Sequence, residues 1–248
     1  MNNNRWIFLR GLTRGNIHWG DFQQIFKKHC PDAEMEFLEI PGNGLRSDES
    51  TPVSVEKLIL SLRTNSVFVK SNQPFNICGI SLGGMAAMKW AEMFPNEVTT
   101  ISVINTSLSQ YSAFYKRLRP DNYEILLKTL FLTNTYEQEE NILRITSNDF
   151  ENKKYFIKKF AEFALNHQVT KLNFLRQLIL AKNIYIESIP LIPFKIISSK
   201  NDRLVDSSCS DVIALKLGGV HFVHPTAGHD LPLDEPEWLS EILVKKLE

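Results

Sequence analysis

The strongest constraint on this chain is an alternation. Short apolar runs closed by glycine or proline are followed by stretches whose apolar residues recur every three to four positions. "RWIFLRG" stops at Gly11, "HWGDFQQIFKKHCP" sets Trp19, Phe22, Ile25 and Phe26 at helical spacing, and "AEMEFLEIPGNG" is a second run ended by Pro41, Gly42 and Gly44. A helix is predicted from about Ser54 to Thr64, with Ser54 as N-cap and Val55, Leu58, Ile59 and Leu62 on one face. "FNICGI", a helix from about Ser81 to Phe94, and "VTTISVINTS" come next. Strands alternating with helices in this manner predict an α/β fold: a mostly parallel sheet flanked by helices on both faces.

The alternation lapses between Ser107 and Ser188. "NYEILLKTLFL", "YEQEENILRITS", "KKYFIKKFAEFALNH" and "TKLNFLRQLILAKN" read as helices, with no strand among them. The pattern then resumes with "PFKIISS", a helix around Ser207 to Lys216, a short strand in "VHFVHPT", and a closing helix from about Glu235 to Leu247. The expected organisation is an α/β core from residues 1–106 and 189–248, with residues 107–188 inserted as a helical lid. No internal repeat, low-complexity tract or flexible linker interrupts it, so the insertion is expected to pack directly on the core.

Charge and cysteine usage narrow the function classes. The 28 basic and 28 acidic side chains cancel, so nothing in the global charge points to nucleic acid or an anionic membrane as partner. Cys30, Cys78 and Cys209 are widely spaced, with neither a CxxC pair nor histidines at ligand spacing. That excludes a disulfide framework or a zinc site as the expectation, leaves the metal set at none, and suits a reducing cytoplasm. "MNNNRWIFLRG" lacks a basic segment followed by a long apolar one, and no stretch reaches the length of a membrane span. The mature chain is expected to start at Met1.

The run "CGISLGGMAA", Cys78 to Ala87, contains G-x-S-x-G between an apolar strand and a helix. A serine at the apex of so tight a turn adopts strained backbone angles, and side chains on its neighbours would strike the adjoining strand and helix. The small residues Gly83, Gly84, Ala86 and Ala87 allow a close helix, whose N-terminus places amides beside the Ser81 hydroxyl. A phosphate- or dinucleotide-binding turn is the rival reading, but the run has neither the GxGxxG spacing nor the Lys-Ser/Thr of a P-loop.

A serine hydroxyl is a weak nucleophile until a base takes its proton and a carboxylate orients that base. Asp202 stands just beyond the strand in "KIISSKNDRLVD", and His229 follows the next strand in "HFVHPTAGHDLPLDEPEWL". Both would reach the carboxyl edge of a parallel sheet, where Ser81 also stands. The order Ser, Asp, His is the one that α/β-hydrolase topology produces.

Four local signatures occur in the order of that family. "FLRGLTRGNIHW" resembles its first strand, His-Gly loop and following helix; "LEIPGNGLRS" resembles its D-x-P-G-x-G-x-S segment; the elbow "GISLGG" and the terminal "AGHDLPLDEP" complete the set. From about Arg5 to Leu247 the chain resembles a lidded serine hydrolase of the α/β-hydrolase fold superfamily. The resemblance implies Ser81 as nucleophile, His229 as general base and acid, Asp202 as orienting carboxylate, and the amides of Leu12 and Leu82 as oxyanion hole. Arg10 replaces the usual histidine and Glu39 the usual aspartate. Arg10 either assists an anionic substrate or forms a local ion pair.

Asp206 is the rival of Asp202, better placed to open the following helix. His221 and His224 read as strand histidines, and Cys78 as a small buried hydrophobe. His18 is a pocket candidate beside Leu12, or else a residue packing the first helix. Residues 107–190 carry 12 basic and 9 acidic side chains, with Arg117 and Arg119 as the anion-contact candidates against a plain solvated face. Of the insertion's Phe114, Tyr115, Tyr123, Phe131, Phe156, Phe160, Phe163 and Phe174, a minority are expected to line the pocket. The expected activity is cleavage of a small to medium carboxylic ester or thioester through an acyl-enzyme, with no cofactor. Carbon–carbon bond hydrolysis, acyl transfer and a non-catalytic ligand-binding role stay open beside it. The oligomeric state is not legible.

Overall fold

The computed structural model describes residues 4–247, so the expected start at Met1 lies outside the described residues. Strands β1 (Arg5–Leu9), β2 (Glu34–Leu38), β3 (Phe75–Ile80), β4 (Val98–Ile104), β5 (Phe194–Ser199) and β6 (Val220–His224) form one sheet, ordered β2-β1-β3-β4-β5-β6. Each neighbouring pair runs parallel.

Successive strand residues face opposite sides, and the two cores divide accordingly. Ile7, Leu9, Phe75, Ile77 and Ile196 join one cluster, while Trp6, Phe8, Cys78, Ile80 and Ile197 join the other. Helices cover both faces. The first cluster is completed by α2 (Val55–Asn65), α4 (Leu82–Met93) and α11 (Ser208–Leu217), the second by α1 (Phe22–His29) and α13 (Pro236–Val244).

Expected and observed elements differ mainly at their ends. Ser54 caps α2 as predicted, its Oγ accepting the Lys57 N–H at 3.3 Å. The first helix begins only at Phe22, after a separate turn over Asn16–Trp19. The last helix stops at Val244 rather than Leu247. There the buried Lys195 ammonium of β5 donates to the carbonyls of Ile242, Leu243 and Lys245, and it occupies the final turn as a cap. The one-turn helix α3 (Val67–Lys70) has no clear periodicity in the sequence.

Between β4 and β5 lie α5 (Phe114–Arg117), α6 (Tyr123–Phe131), α7 (Thr135–Thr146), α8 (Phe150–Lys153), α9 (Tyr155–Ala164) and α10 (Lys171–Asn183). Leu143 of α7 and Phe156, Ile157 and Phe160 of α9 pack on Leu233 of α12 (Leu231–Asp234). This helical segment is thus docked on the loop that follows β6. The strand order reverses between β1 and β3, which opens a crevice outside their carboxyl ends. Among the described residues no helix is long and apolar enough to cross a membrane.

Candidate active site

Ser81 occupies the turn from β3 into α4 with φ 56° and ψ −119°, a region that costs a non-glycine residue about 1–3 kcal/mol. The turn is held rather than loose. The Ser81 N–H donates to the Ile104 carbonyl at 2.8 Å, and its carbonyl accepts from Gly84 N–H at 3.0 Å, Met85 N–H at 3.1 Å and the Thr106 hydroxyl at 3.2 Å. Two glycines are steric requirements: a Cβ on Gly79 would overlap the Gly83 carbonyl, and one on Gly83 would overlap the Leu9 carbonyl of β1. The strained serine is therefore pinned to the strands on both sides of it.

Asp202 lies in the loop after β5, 2% exposed. Its Oδ1 accepts the N–H groups of Leu204 and Val205 at 2.8 and 2.9 Å, which fixes the carboxylate's orientation. Its Oδ2 lies 2.7 Å from His229 Nδ1. The His229 ring is 6% exposed, and its loop is held by several side chains. Asn105, at the end of β4, donates to the His229 carbonyl at 2.8 Å while accepting the Ser199 N–H at 2.8 Å. Asp234 accepts the Gly228 N–H at 2.7 Å and the Asn148 N–H at 2.9 Å. The Asp230 N–H donates to the Thr146 carbonyl at 2.8 Å.

The loop after β1 completes the crevice. A Cβ on Gly11 would stand 3.1 Å from Ser81 Cβ, so this backbone passes directly beside the serine. Gly11 to Arg14 form a turn closed by the Arg14 N–H on the Gly11 carbonyl at 3.2 Å. Among the described residues neither the Leu12 nor the Leu82 amide N–H has a hydrogen-bond acceptor. Two unpartnered donors beside a serine can receive an oxygen that gains negative charge.

The pocket candidates have unequal placements. Arg10 is 4% exposed, its guanidinium meeting both Asp230 carboxylate oxygens. Arg117 donates to the Ala181 carbonyl at 2.6 Å and the Ser107 hydroxyl at 3.3 Å, and Arg119 to the Asp202 carbonyl at 3.2 Å. Both arginines are engaged with the protein's own oxygens, and Arg119 also borders a cavity of about 600 Å³ with Asp202 and Asn148. His18 faces another cavity. It lies near Arg14 and Glu139, and burial, with Arg14 beside it, holds it below the usual histidine range. Burial opposes charge on Glu139, yet Arg14 and His18 hold its carboxyl down at about 2.

That cavity, about 240 Å³, lies between the β1 loop and helices α6, α7, α9 and α10. Of the insertion's aromatics, Phe163 and Phe174 line it. Phe156 and Phe160 are core, and Phe114, Tyr115 and Phe131 are exposed. Asp206, His221 and His224 have structural partners: Asp206 accepts the Ser208 N–H at the start of α11, His221 meets Ser198 Oγ, and the His224 ring accepts the Ala227 N–H. Cys78 is fully buried, which pushes its thiol up. Sequence reasoning missed Asn105, Glu139, Gln177, Asp230 and Asp234. Of these only Asp230 and Asp234 carried a signal, through their place in the same segment as His229.

No family model matches this chain. It is 22% identical over 251 residues to monoacylglycerol lipase ABHD6 of Mus musculus, covering 96% of this chain and 74% of that protein. Among solved structures it is similar to the 2-hydroxy-6-oxo-6-phenylhexa-2,4-dienoate hydrolase of Rhodococcus sp. strain RHA1, with TM-score 0.76 and 15% identity over 97% of this chain and 89% of that one. It is also similar to MGS-M2, an alpha/beta hydrolase enzyme from a Medee basin deep-sea metagenome library, with TM-score 0.70 and 18% identity over 100% and 92%.

Proposed function

Since this chain has the α/β-hydrolase fold, we propose that it is a serine hydrolase that cleaves a small to medium carboxylic ester or thioester through an acyl-enzyme. The observation that carries the reading is the buried His229 Nδ1 to Asp202 Oδ2 contact of 2.7 Å at the same sheet edge as the strained Ser81. Asp202, itself held by two backbone amides, orients the His229 ring with Nε2 outward. His229 removes the Ser81 proton as Oγ attacks the carbonyl carbon, and the Leu12 and Leu82 amides receive the oxyanion. His229 then gives that proton to the departing alcohol or thiol. Water, deprotonated in turn by His229, releases the acid and restores Ser81. Residues 107–188 act as a lid, and the 240 Å³ cavity beneath them is bordered by Thr13, Arg14 and His18 of the β1 loop rather than by Ser81 or His229 themselves.

A screen of p-nitrophenyl esters and acyl thioesters of graded chain length tests this, with Ser81→Ala as blank and a fluorophosphonate probe to mark the nucleophile. A length optimum, loss of turnover in the variant and labelling at Ser81 are expected. Full turnover by Ser81→Ala would end the proposal. Carbon–carbon bond hydrolysis by the same three residues is the second reading, favoured by the likeness to the Rhodococcus hydrolase at TM-score 0.76. Product analysis on a vinylogous diketone separates the two.

A further inference from the structure

Helix α10 is turned inside out. It buries Asn173, Gln177 and Leu180, while Leu172, Leu175 and Ile179 are 58, 52 and 44% exposed. A helix that gives its inner face to amides and its outer face to leucines is not placed by apolar burial alone. The amides must have specific partners inside, because a buried polar group without one is costly.

Gln177 has them. It is 0% exposed, its Oε1 accepts the Thr13 N–H at 2.8 Å, and its Nε2 donates to Asn43 Oδ1 at 2.6 Å and to Thr51 Oγ1 at 3.4 Å. The backbone N–H fixes which end of the carboxamide is oxygen, since the reverse would oppose two donors. Asn43, also 0% exposed, donates in turn to the carbonyls of Arg14 at 3.2 Å and Gly11 at 3.5 Å. The whole network closes on the turn from Gly11 to Arg14.

The target of that network is a strained turn. Thr13, its third residue, has φ 60°, the pattern of a type II turn, where glycine is the usual occupant. A β-branched residue there needs an outside contact to hold the Leu12–Thr13 peptide in place. Gln177 supplies it one residue from the unpartnered Leu12 amide.

We propose that Gln177 is a positioning residue that holds the Leu12 amide in its oxyanion-binding direction by accepting the Thr13 N–H. The proposal rests on the hydrolase reading above, and it makes the helical segment part of the catalytic geometry as well as a cover. The contact acts on the turn and not on the substrate, so its loss falls on the transition state.

The test compares Gln177→Met with wild type by kcat and KM on an activated ester, by inhibition with an alkyl trifluoromethyl ketone, whose Ser81 adduct presents an oxyanion, and by fluorophosphonate labelling. Gln177→Met is expected to lower kcat by about 10- to 100-fold, with KM within about threefold, and to weaken the ketone by the same factor as kcat. Adding Thr13→Gly, which lets the turn form without support, is expected to restore kcat to within about threefold of wild type. Unchanged kcat, a change in KM alone, or no restoration by glycine overturns the proposal. Should Gln177→Met not fold, Gln177→Asn, polar but one methylene short of Thr13, carries the same expectations. Wild-type protein with no ester turnover and no labelling at Ser81 overturns the hydrolase reading itself, a result seen before any variant is made.

Discussion

The Arg10 guanidinium meets both carboxylate oxygens of Asp230, at 2.9 and 2.7 Å, in a pair whose members are each 4% exposed. The residues stand 220 positions apart in the chain. One precedes Gly11 and Leu12, and the other follows His229, so a single buried fork ties the loop after β1 to the loop that bears the proposed base. The guanidinium also sits 5.2 Å from the Trp19 ring centroid, which confines it further. This placement gives a physical account of arginine at the position where the family resemblance expects histidine: Asp230 supplies its charge partner.

Breaking one half of such a pair leaves the other charge buried and alone. Asp230→Ala is expected to cost roughly 3–5 kcal/mol, a fall in Tm of order 10 °C for a chain of this size. Replacing both partners with apolar residues, as Arg10→Met with Asp230→Leu, should recover most of that loss. Thermal unfolding of the three proteins checks this, and equal melting of single and double variants would contradict it.

Ser81 carries strain that glycine does not feel. Ser81→Gly should abolish fluorophosphonate labelling and raise stability by about 1 kcal/mol, the relief of strain being offset in part by glycine's freedom in the unfolded chain. Ser81→Ala, which keeps a Cβ at φ 56°, should abolish labelling without that gain. Denaturant unfolding of both variants separates them, and identical midpoints would remove strain as the explanation.

Much of the fold was legible because its signals are local. The run "FNICGI" coincides with β3, Ser54 caps α2, and the strain at Ser81 follows from the glycines around it. Contacts that hold the site are not local. Glu139 sits in "YEQEEN", whose pattern predicts a helix and marks no site, yet it is 9% exposed and bound to Arg14, 125 positions away. Gln177 lies among Lys171, Arg176 and Lys182 in a helix whose Leu172 and Leu175 face outward, so nothing in the pattern marks it as buried. Arg10, Arg117 and Arg119 showed their charge in the sequence but not the internal acceptors that engage them.

Asn105 joins the strand that precedes Asp202 to the loop that bears His229, with its own backbone at φ 46°. Asn105→Ala removes the donor to His229, the acceptor for Ser199 and a residue type suited to positive φ. The expected loss is about 2–4 kcal/mol, together with a fall in kcat larger than any change in KM. Asn105→Asp keeps the Ser199 acceptor but sets an oxygen against the His229 carbonyl, so it should retain more stability than alanine and no more activity. Steady-state kinetics beside chemical denaturation of both variants decides the point.

Lys195 provides the pH test. Burial pushes its ammonium down to about 8, although three carbonyls at the end of α13 accept from it. In the unfolded chain the group titrates near 10.4, so between about pH 8 and 10.4 the unfolded state binds more protons than the folded one. Stability contributed by this residue therefore rises with pH across that window, as the penalty for a buried charge is relieved, and is flat below it. Lys195→Met should lose about 1–3 kcal/mol at neutral pH, from carbonyls left without a donor, and should lack the alkaline rise. Urea unfolding of both proteins at intervals from pH 7 to 10.5 measures the difference, and parallel curves would show that Lys195 titrates alike in both states.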